Sequence, residues 1–115
     1  INLFEELRKR YPVYLLSNFQ SLPFKRLLGL YPFLETASGR LISGDEQLMK
    51  PEPEFYGLFL KRFALNAHEC LFIDDLSDNI RAAQSCGING IVYQNHDDLC
   101  LELQSLNILT KESHD

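Results

Sequence analysis

At 115 residues the chain has material for one small domain, and its formal charge of −5 disfavours a phosphate-backbone partner, so no nucleic-acid binding is expected. Hydrophobic residues at 45% against 23% charged residues describe a chain with a core and exclude a disordered one. No apolar run approaches the roughly 18 residues of a spanning helix, and the acidic, amphipathic opening from Ile1 to Glu6 is unlike an export signal, so no membrane contact and a cytoplasmic location are expected.

Leu3, Phe4 and Leu7 stand at helical spacing among Glu5, Glu6, Arg8 and Lys9, which predicts a helix over 2–10 that Pro12 ends. Val13 to Leu16 reads as a strand buried on both faces, closed by Ser17 and Asn18. A helix is expected at about 21–29, a short strand at Leu41 to Ser43, and a loop over 44–53 that carries Lys50, Pro51 and Pro53. The helix that follows, about 54–64, offers Phe55, Leu58, Phe59 and Phe63 as its buried stripe. Cys70 to Ile73 repeats the buried-strand pattern and stops at Asp74 and Asp75. Behind it a helix is expected, capped by Ser77 or Asp78 and closed by Gly87 in a left-handed conformation. Ile91 to Tyr93 is the next strand, Asp97 or Asp98 caps a last helix to about Leu106, and 110–115 is a frayed tail. Strands alternating with helices of about ten residues predict an α/β fold, an open and largely parallel sheet with helices on both faces. Cys70, Cys86 and Cys100 are odd in number and form no Cys-x-x-Cys, so reduced and mostly buried thiols are expected.

In parallel α/β sheets ligands bind beyond the carboxyl ends of the strands. Three polar groups occupy such ends here: Ser17 with Asn18, Lys50, and Asp74 with Asp75, all expected on one edge. Taken singly, a Ser-Asn pair is ordinary turn chemistry and a loop lysine is ordinarily solvated. The acidic pair says more, because adjacent carboxylates repel by roughly a few kcal/mol in a protein-like dielectric unless a cation or lysine compensates. A divalent metal is the economical compensation. Asp78 is read as a helix cap, and Asn79 as a first-turn residue of no assigned purpose. Together a hydroxyl, an amide, an ammonium and an acidic pair suit phosphoryl transfer: Ser17 and the Asn18 amide donate to phosphate oxygens, Lys50 neutralises charge, and the carboxylates hold Mg²⁺.

The segments Tyr14-Leu-Leu-Ser-Asn18, Ser43-Gly-Asp-Glu-Gln-Leu-Met-Lys50-Pro-Glu-Pro and Leu71-Phe-Ile-Asp-Asp-Leu-Ser-Asp-Asn-Ile80, with Ala82-Ala83 and Gly87-Ile88, resemble the second, third and fourth motifs of the haloacid dehalogenase-like (HAD) hydrolases, in order. The resemblance covers about 10–109 and implies a Rossmann-like core. It implies that Ser17 binds phosphate, that Lys50 is the motif-three lysine, and that Asp74 and Asp75 are the motif-four acids, Asp75 being the favoured direct Mg²⁺ ligand. The first motif, Asp-x-Asp-x-Thr or Val, which carries the aspartyl nucleophile, is absent: no two of Asp45, Asp74, Asp75, Asp78, Asp97, Asp98 and Asp115 are separated by one residue.

The expectation is therefore the C-terminal part of a HAD core over 1–109, its sheet incomplete for want of the central nucleophile-bearing strand and the cap. Since the chain opens on Ile1 and not Met, a separate or preceding segment, or self-association through the open sheet, is expected to supply what is missing. The function implied is Mg²⁺-dependent hydrolysis of a small phosphorylated metabolite through an aspartyl phosphate, with this chain alone inactive. The alternative is a non-catalytic binding domain derived from such an enzyme. A dehalogenase fits less well because those relatives dispense with metal. A phosphoacceptor receiver would present the acids first and the lysine late, the reverse of the order here.

Overall fold

The computed structural model describes residues 2–18 and 37–109; the helix expected at 21–29 and the tail at 110–115 lie outside them. The described chain divides between Leu65 and Asn66 into two compact units. Each is built on one parallel strand pair.

The first unit opens with helix α1 (Asn2–Arg10), which places Glu5 in its first turn and Arg8, Lys9 and Arg10 in its last, as the helix dipole favours. Strand β1 (Tyr14–Ser17) pairs in parallel with β2 (Gly39–Ile42), in a register that sets Tyr14 opposite Gly39 and Ser17 opposite Ile42. Where a loop was expected, a four-residue helix α2 (Ser43–Glu46) follows β2 directly, and helix α3 (Pro53–Arg62) begins with Pro53, whose missing N–H costs nothing there. Of the stripe expected on α3, Phe55 and Phe59 are buried while Leu58 and Phe63 are half-buried; Tyr56 is fully buried in their place. The buried face is therefore centred about one residue from the stripe read off the sequence. Tyr14, Phe59 and Phe63 form an aromatic cluster, with ring centroids 5.3 Å (Tyr14–Phe59), 4.8 Å (Tyr14–Phe63) and 5.4 Å (Phe59–Phe63) apart. It holds α3 against the strand pair. The Phe63 ring occupies the space a side chain at position 39 would need, since a Cβ there would meet it at 2.4 Å.

The second unit repeats the plan. After a 3₁₀ turn (Ala67–Glu69), strand β3 (Leu71–Asp74) pairs in parallel with β4 (Asn89–Val92), and helices α4 (Ser77–Ser85) and α5 (His96–Ser105) complete it. Ile80 lies close over Gly90, where a Cβ would come within 2.7 Å of it. Ile80, Ala83, Ile88, Ile91, Leu99, Cys100, Leu103 and Leu109 are its buried apolar residues, and full burial of a large aliphatic side chain contributes about 1.5–3 kcal/mol.

The α/β class and parallel pairing match expectation, and the sheet is incomplete: among the described residues the four strands form two separate pairs, with no ladder joining β1 to β3. All four strands are shifted in phase from the expected ones. β1 and β3 begin one residue later and include the polar Ser17 and Asp74, because the ladder bonds backbone groups whatever side chain they carry. β2 and β4 begin two residues early, at positions 39 and 89. Two expected caps are corrected. The N-cap of α4 is Leu76 and not Ser77 or Asp78, and Asp78 instead pairs with Arg81 one turn on. The N-cap of α5 is Asn95 and not Asp97 or Asp98; its Oδ1 accepts the Asp98 N–H at 2.8 Å.

Three helices end in the same closure. Beyond α3, α4 and α5 the residues Ala64, Gly87 and Asn107 have positive φ (53°, 87° and 61°), and the next N–H returns to a carbonyl five residues back: Leu65 to Leu60, Ile88 to Ala83, Ile108 to Leu103. This is the Schellman arrangement. Gly87 suits it as expected, and Asn107 tolerates it. Ala64 does not, because a Cβ in the left-handed region costs roughly 1–2 kcal/mol. Ala64→Gly is therefore expected to raise stability by about 1 kcal/mol and Gly87→Ala to lower it by about as much. Urea midpoints measure both, and a fall for Ala64→Gly would contradict this closure.

Candidate functional site

On the first unit, parallel pairing brings the carboxyl ends of β1 and β2 to one edge. Ser17 is the last ladder residue of β1 and half-buried; Asn18, the next residue, is exposed. The Asn18 carboxamide reaches the main chain of Lys50, donating from Nδ2 to the Lys50 carbonyl at 2.9 Å and accepting the Lys50 N–H on Oδ1 at 2.8 Å. Ser17 and Lys50 are thus neighbours in space through the residue between them, although 33 positions apart. The Lys50 loop has local ties of its own. Met49 N–H donates to Glu52 Oε1 at 2.9 Å, and Glu52 N–H returns to the Met49 carbonyl at 2.8 Å. At the loop's stem Arg62 makes two bonds to the Glu46 carboxylate, 2.6 and 2.9 Å, joining the end of α3 to α2. Hydrogen bonding to Glu46 holds the Arg62 guanidinium above its usual pKa.

On the second unit, Asp74 is the last residue of β3 and Asp75 the first beyond it. Their environments differ. Asp74 is half-buried and its Oδ1 accepts the Leu76 N–H at 2.9 Å, while Asn79 Nδ2 lies 3.3 Å from both Asp74 oxygens. Asp75 is exposed. The Asp74 carbonyl accepts the Tyr93 N–H at 2.8 Å, which continues the β3–β4 pairing past Val92. Asn79, only 4% exposed, is the residue that sequence reasoning left without a purpose. Its one signal was its type: an amide on the inner side of a helix's first turn, five residues after a strand-ending carboxylate. The acids also stand just ahead of the α4 N-terminus, where the helix dipole favours negative charge.

The donor set fits Mg²⁺ in kind, because that ion takes oxygen ligands, one or two of them carboxylates, and keeps several waters. It is sparse in number: among the described residues no group of three or more His, Cys, Asp or Glu side chains could hold a metal. All three cysteines are free thiols, and burial pushes Cys70 and Cys100 above the ordinary thiol pKa, with Glu69 and Asp97 adding to the effect. Cys70 and Cys100 stay protonated at neutral pH. An open groove of about 280 Å³ lined by Val92, Gln94, Asp98, Leu99, Leu101 and Glu102 contains none of the candidate residues. No helix among the described residues is long and apolar enough to cross a membrane.

The sequence profile of the haloacid dehalogenase-like hydrolases matches residues 1–87. The chain belongs to that family. Among its relatives, the sesquiterpene phosphatase astK of Aspergillus oryzae is 32% identical over 94 residues, which is 82% of this chain and 48% of that protein. A chloroplast flavin mononucleotide hydrolase of Arabidopsis thaliana is 36% identical over 59 residues, 51% of this chain and 24% of that one. A HAD family enzyme from Bacteroides thetaiotaomicron, solved with magnesium and inorganic phosphate, superposes with a TM-score of 0.77 at 27% identity; the match covers 85% of this chain and 54% of that one. This HAD-like chain spans about half the length of astK and of the Bacteroides enzyme.

Asn79→Ala in this HAD-like chain is expected to lower stability by about 1–3 kcal/mol, since it strips a donor from a half-buried carboxylate. Asn79→Asp is expected to cost more at neutral pH than Asn79→Ala, because it sets a second carboxylate against Asp74, and the difference should shrink as acid protonates the pair. Chemical denaturation at neutral and mildly acidic pH checks both; equal stability of Asn79→Asp and wild type would contradict the contact.

Proposed function

We propose that this chain carries the charge-handling residues of a Mg²⁺-dependent HAD phosphatase that acts on a small phosphorylated molecule. The observation that carries the reading is the Asn18 carboxamide bonded to the Lys50 main chain, which brings the lysine beside Ser17 at a strand end. A hydroxyl at that end, with a lysine whose main chain is held next to it, suits a tetrahedral oxyanion once the ammonium is turned toward it. On the second unit the Asp74-Asp75 pair supplies hard oxygen donors at the end of its own strand.

In this reading the Ser17 hydroxyl donates to a phosphoryl oxygen and the Lys50 ammonium offsets charge on the same group. Asp75 would hold Mg²⁺, with Asp74 as the inner carboxylate that Asn79 and the Leu76 N–H keep in place. The ion, when bound, would supply positive charge at the end of β3. The names of the two relatives, a sesquiterpene phosphatase and a flavin mononucleotide hydrolase, support a small phosphorylated substrate, and the Bacteroides enzyme with magnesium and inorganic phosphate supports the ion and the anion. The attacking carboxylate of the family's aspartyl-phosphate chemistry has no counterpart in these 115 residues. The alternative reading is a non-catalytic binding domain that keeps the anion and metal ligands.

With two carboxylates at most, Mg²⁺ binding by the 115-residue chain is expected to be weak and to depend on Asp75. A titration followed by amide chemical shifts around 74–79 tests it: Asp75→Asn should remove the Mg²⁺-induced shifts, and their persistence would make the assignment wrong. The same chain is expected to show no phosphomonoester turnover above background, and supplying an Asp-x-Asp-x-Thr segment by fusion or in trans should produce Mg²⁺-dependent phosphate release. Release from the chain alone, abolished by Lys50→Ala, would mean that another residue is the nucleophile. If the supplemented chain binds phosphate and Mg²⁺ but never turns over, the binding-domain reading gains.

A further inference from the structure

Asn18 stands one residue beyond Ser17 and 32 before Lys50, and its carboxamide forms a closed two-bond ring with the N–H and the carbonyl of that single residue, at 2.8 and 2.9 Å. We propose that Asn18 is a positioning residue for Lys50, fixing the lysine's main chain against the end of β1, and not a side-chain donor to the phosphoryl group. The inference rests on the phosphate-site reading of Ser17 and Lys50 given above.

The loop that carries Lys50 is shaped locally by the reciprocal Met49–Glu52 bonds, by Pro53 at the start of α3 and by the Arg62–Glu46 pair at its stem. Local bonds fix a loop's shape but not where that shape sits relative to a strand many residues earlier. The Asn18 ring supplies that information. One hydrogen bond sets a distance; two, from opposite ends of a planar group, also set an orientation. The flexible four-carbon stem of lysine costs rotamer entropy to hold, so an ammonium can be presented accurately only if its backbone end is fixed. Asparagine is the side chain that does this at this reach: aspartate lacks the donor and would bring a negative charge against a carbonyl, serine is too short to span both groups, and glutamine carries its amide one methylene too far. A neutral amide also leaves the positive charge of Lys50 uncompensated by its own anchor.

The test is a double-mutant cycle on the full 115-residue chain, with inorganic phosphate as the probe and ¹⁵N amide exchange as a second readout. Asn18→Ala and Lys50→Ala are each expected to weaken phosphate binding by about tenfold, and the double variant is expected to bind no more weakly than Lys50→Ala alone, because Asn18 acts through the lysine. Losses that multiply to about a hundredfold would overturn the proposal and make Asn18 an independent phosphate ligand. Protection of the Lys50 N–H is expected in the wild-type chain and is expected to be lost in Asn18→Ala while the Ser38 N–H, bonded to the Val13 carbonyl, keeps its own; undiminished Lys50 protection would also overturn it. Asn18→Gln keeps the amide but misplaces it, and full phosphate affinity in that variant would show that the ring geometry is irrelevant. If Lys50→Ala itself leaves phosphate affinity unchanged, the phosphate reading of Lys50 fails, and this role for Asn18 falls with it. If Lys50→Ala weakens binding and Asn18→Ala does not, the positioning role alone falls.

Discussion

Parallel pairing is the constraint on which the rest of the molecule depends. Two parallel strands end at the same edge, so whatever follows their last residues is gathered there, and ligand chemistry in α/β proteins collects at such edges. In the first unit Ser17 ends one strand opposite Ile42, which ends the other; in the second, Asp74 ends one strand opposite Val92. Four-residue strands in pairs are too short to persist alone, so each pair needs a helix packed upon it. Phe63 over Gly39 and Ile80 over Gly90 are where that packing is tightest, each with an apolar side chain in the space a strand Cβ would claim.

On each edge a neutral carboxamide organises a charged residue. Asn18 takes both main-chain groups of Lys50, and Asn79 lies against both oxygens of Asp74. A carboxamide can do this because it combines donor and acceptor without charge: it holds a lysine's backbone without neutralising the lysine, and it meets a carboxylate without adding a second negative group. The two acids divide accordingly. Asp74 is built into the strand end and the start of α4, while Asp75, one residue on, is exposed. Adjacent like charges that would repel are thereby given different surroundings.

The family profile places the chain among the HAD-like hydrolases, and the order of the motifs sets it apart from a receiver domain, in which the acids would come first and the lysine late. In the proposed function the residues present bind and neutralise, and the Asp-x-Asp motif that would carry the attacking carboxylate is not among these 115 residues. In that reading, binding of anion and ion can be measured apart from turnover.

The α/β class, the parallel pairing, the left-handed Gly87 and the placing of Ser17 and Asp74 at strand ends were legible in the sequence, because each follows from local pattern: apolar runs closed by polar residues, helical periodicity, and a residue type with one conformational use. Strand phase, helix caps and the roles of the two asparagines were not. Leu76 starts α4 without a side-chain cap, since leucine carries no acceptor, and Asn95 caps α5 in place of Asp97 and Asp98 because it lies three residues before Asp98, within reach of that residue's N–H. Ala64 adopts a glycine's conformation only because the closure of α3 requires it. Asn18 finds Lys50 across 32 residues and Asn79 finds Asp74 across a turn, and no local rule names such partners. Composition and spacing determine which chemical groups arrive at a strand's end; which of them hold one another there is decided by tertiary structure, because a hydrogen bond depends on distance in space and is indifferent to distance along the chain.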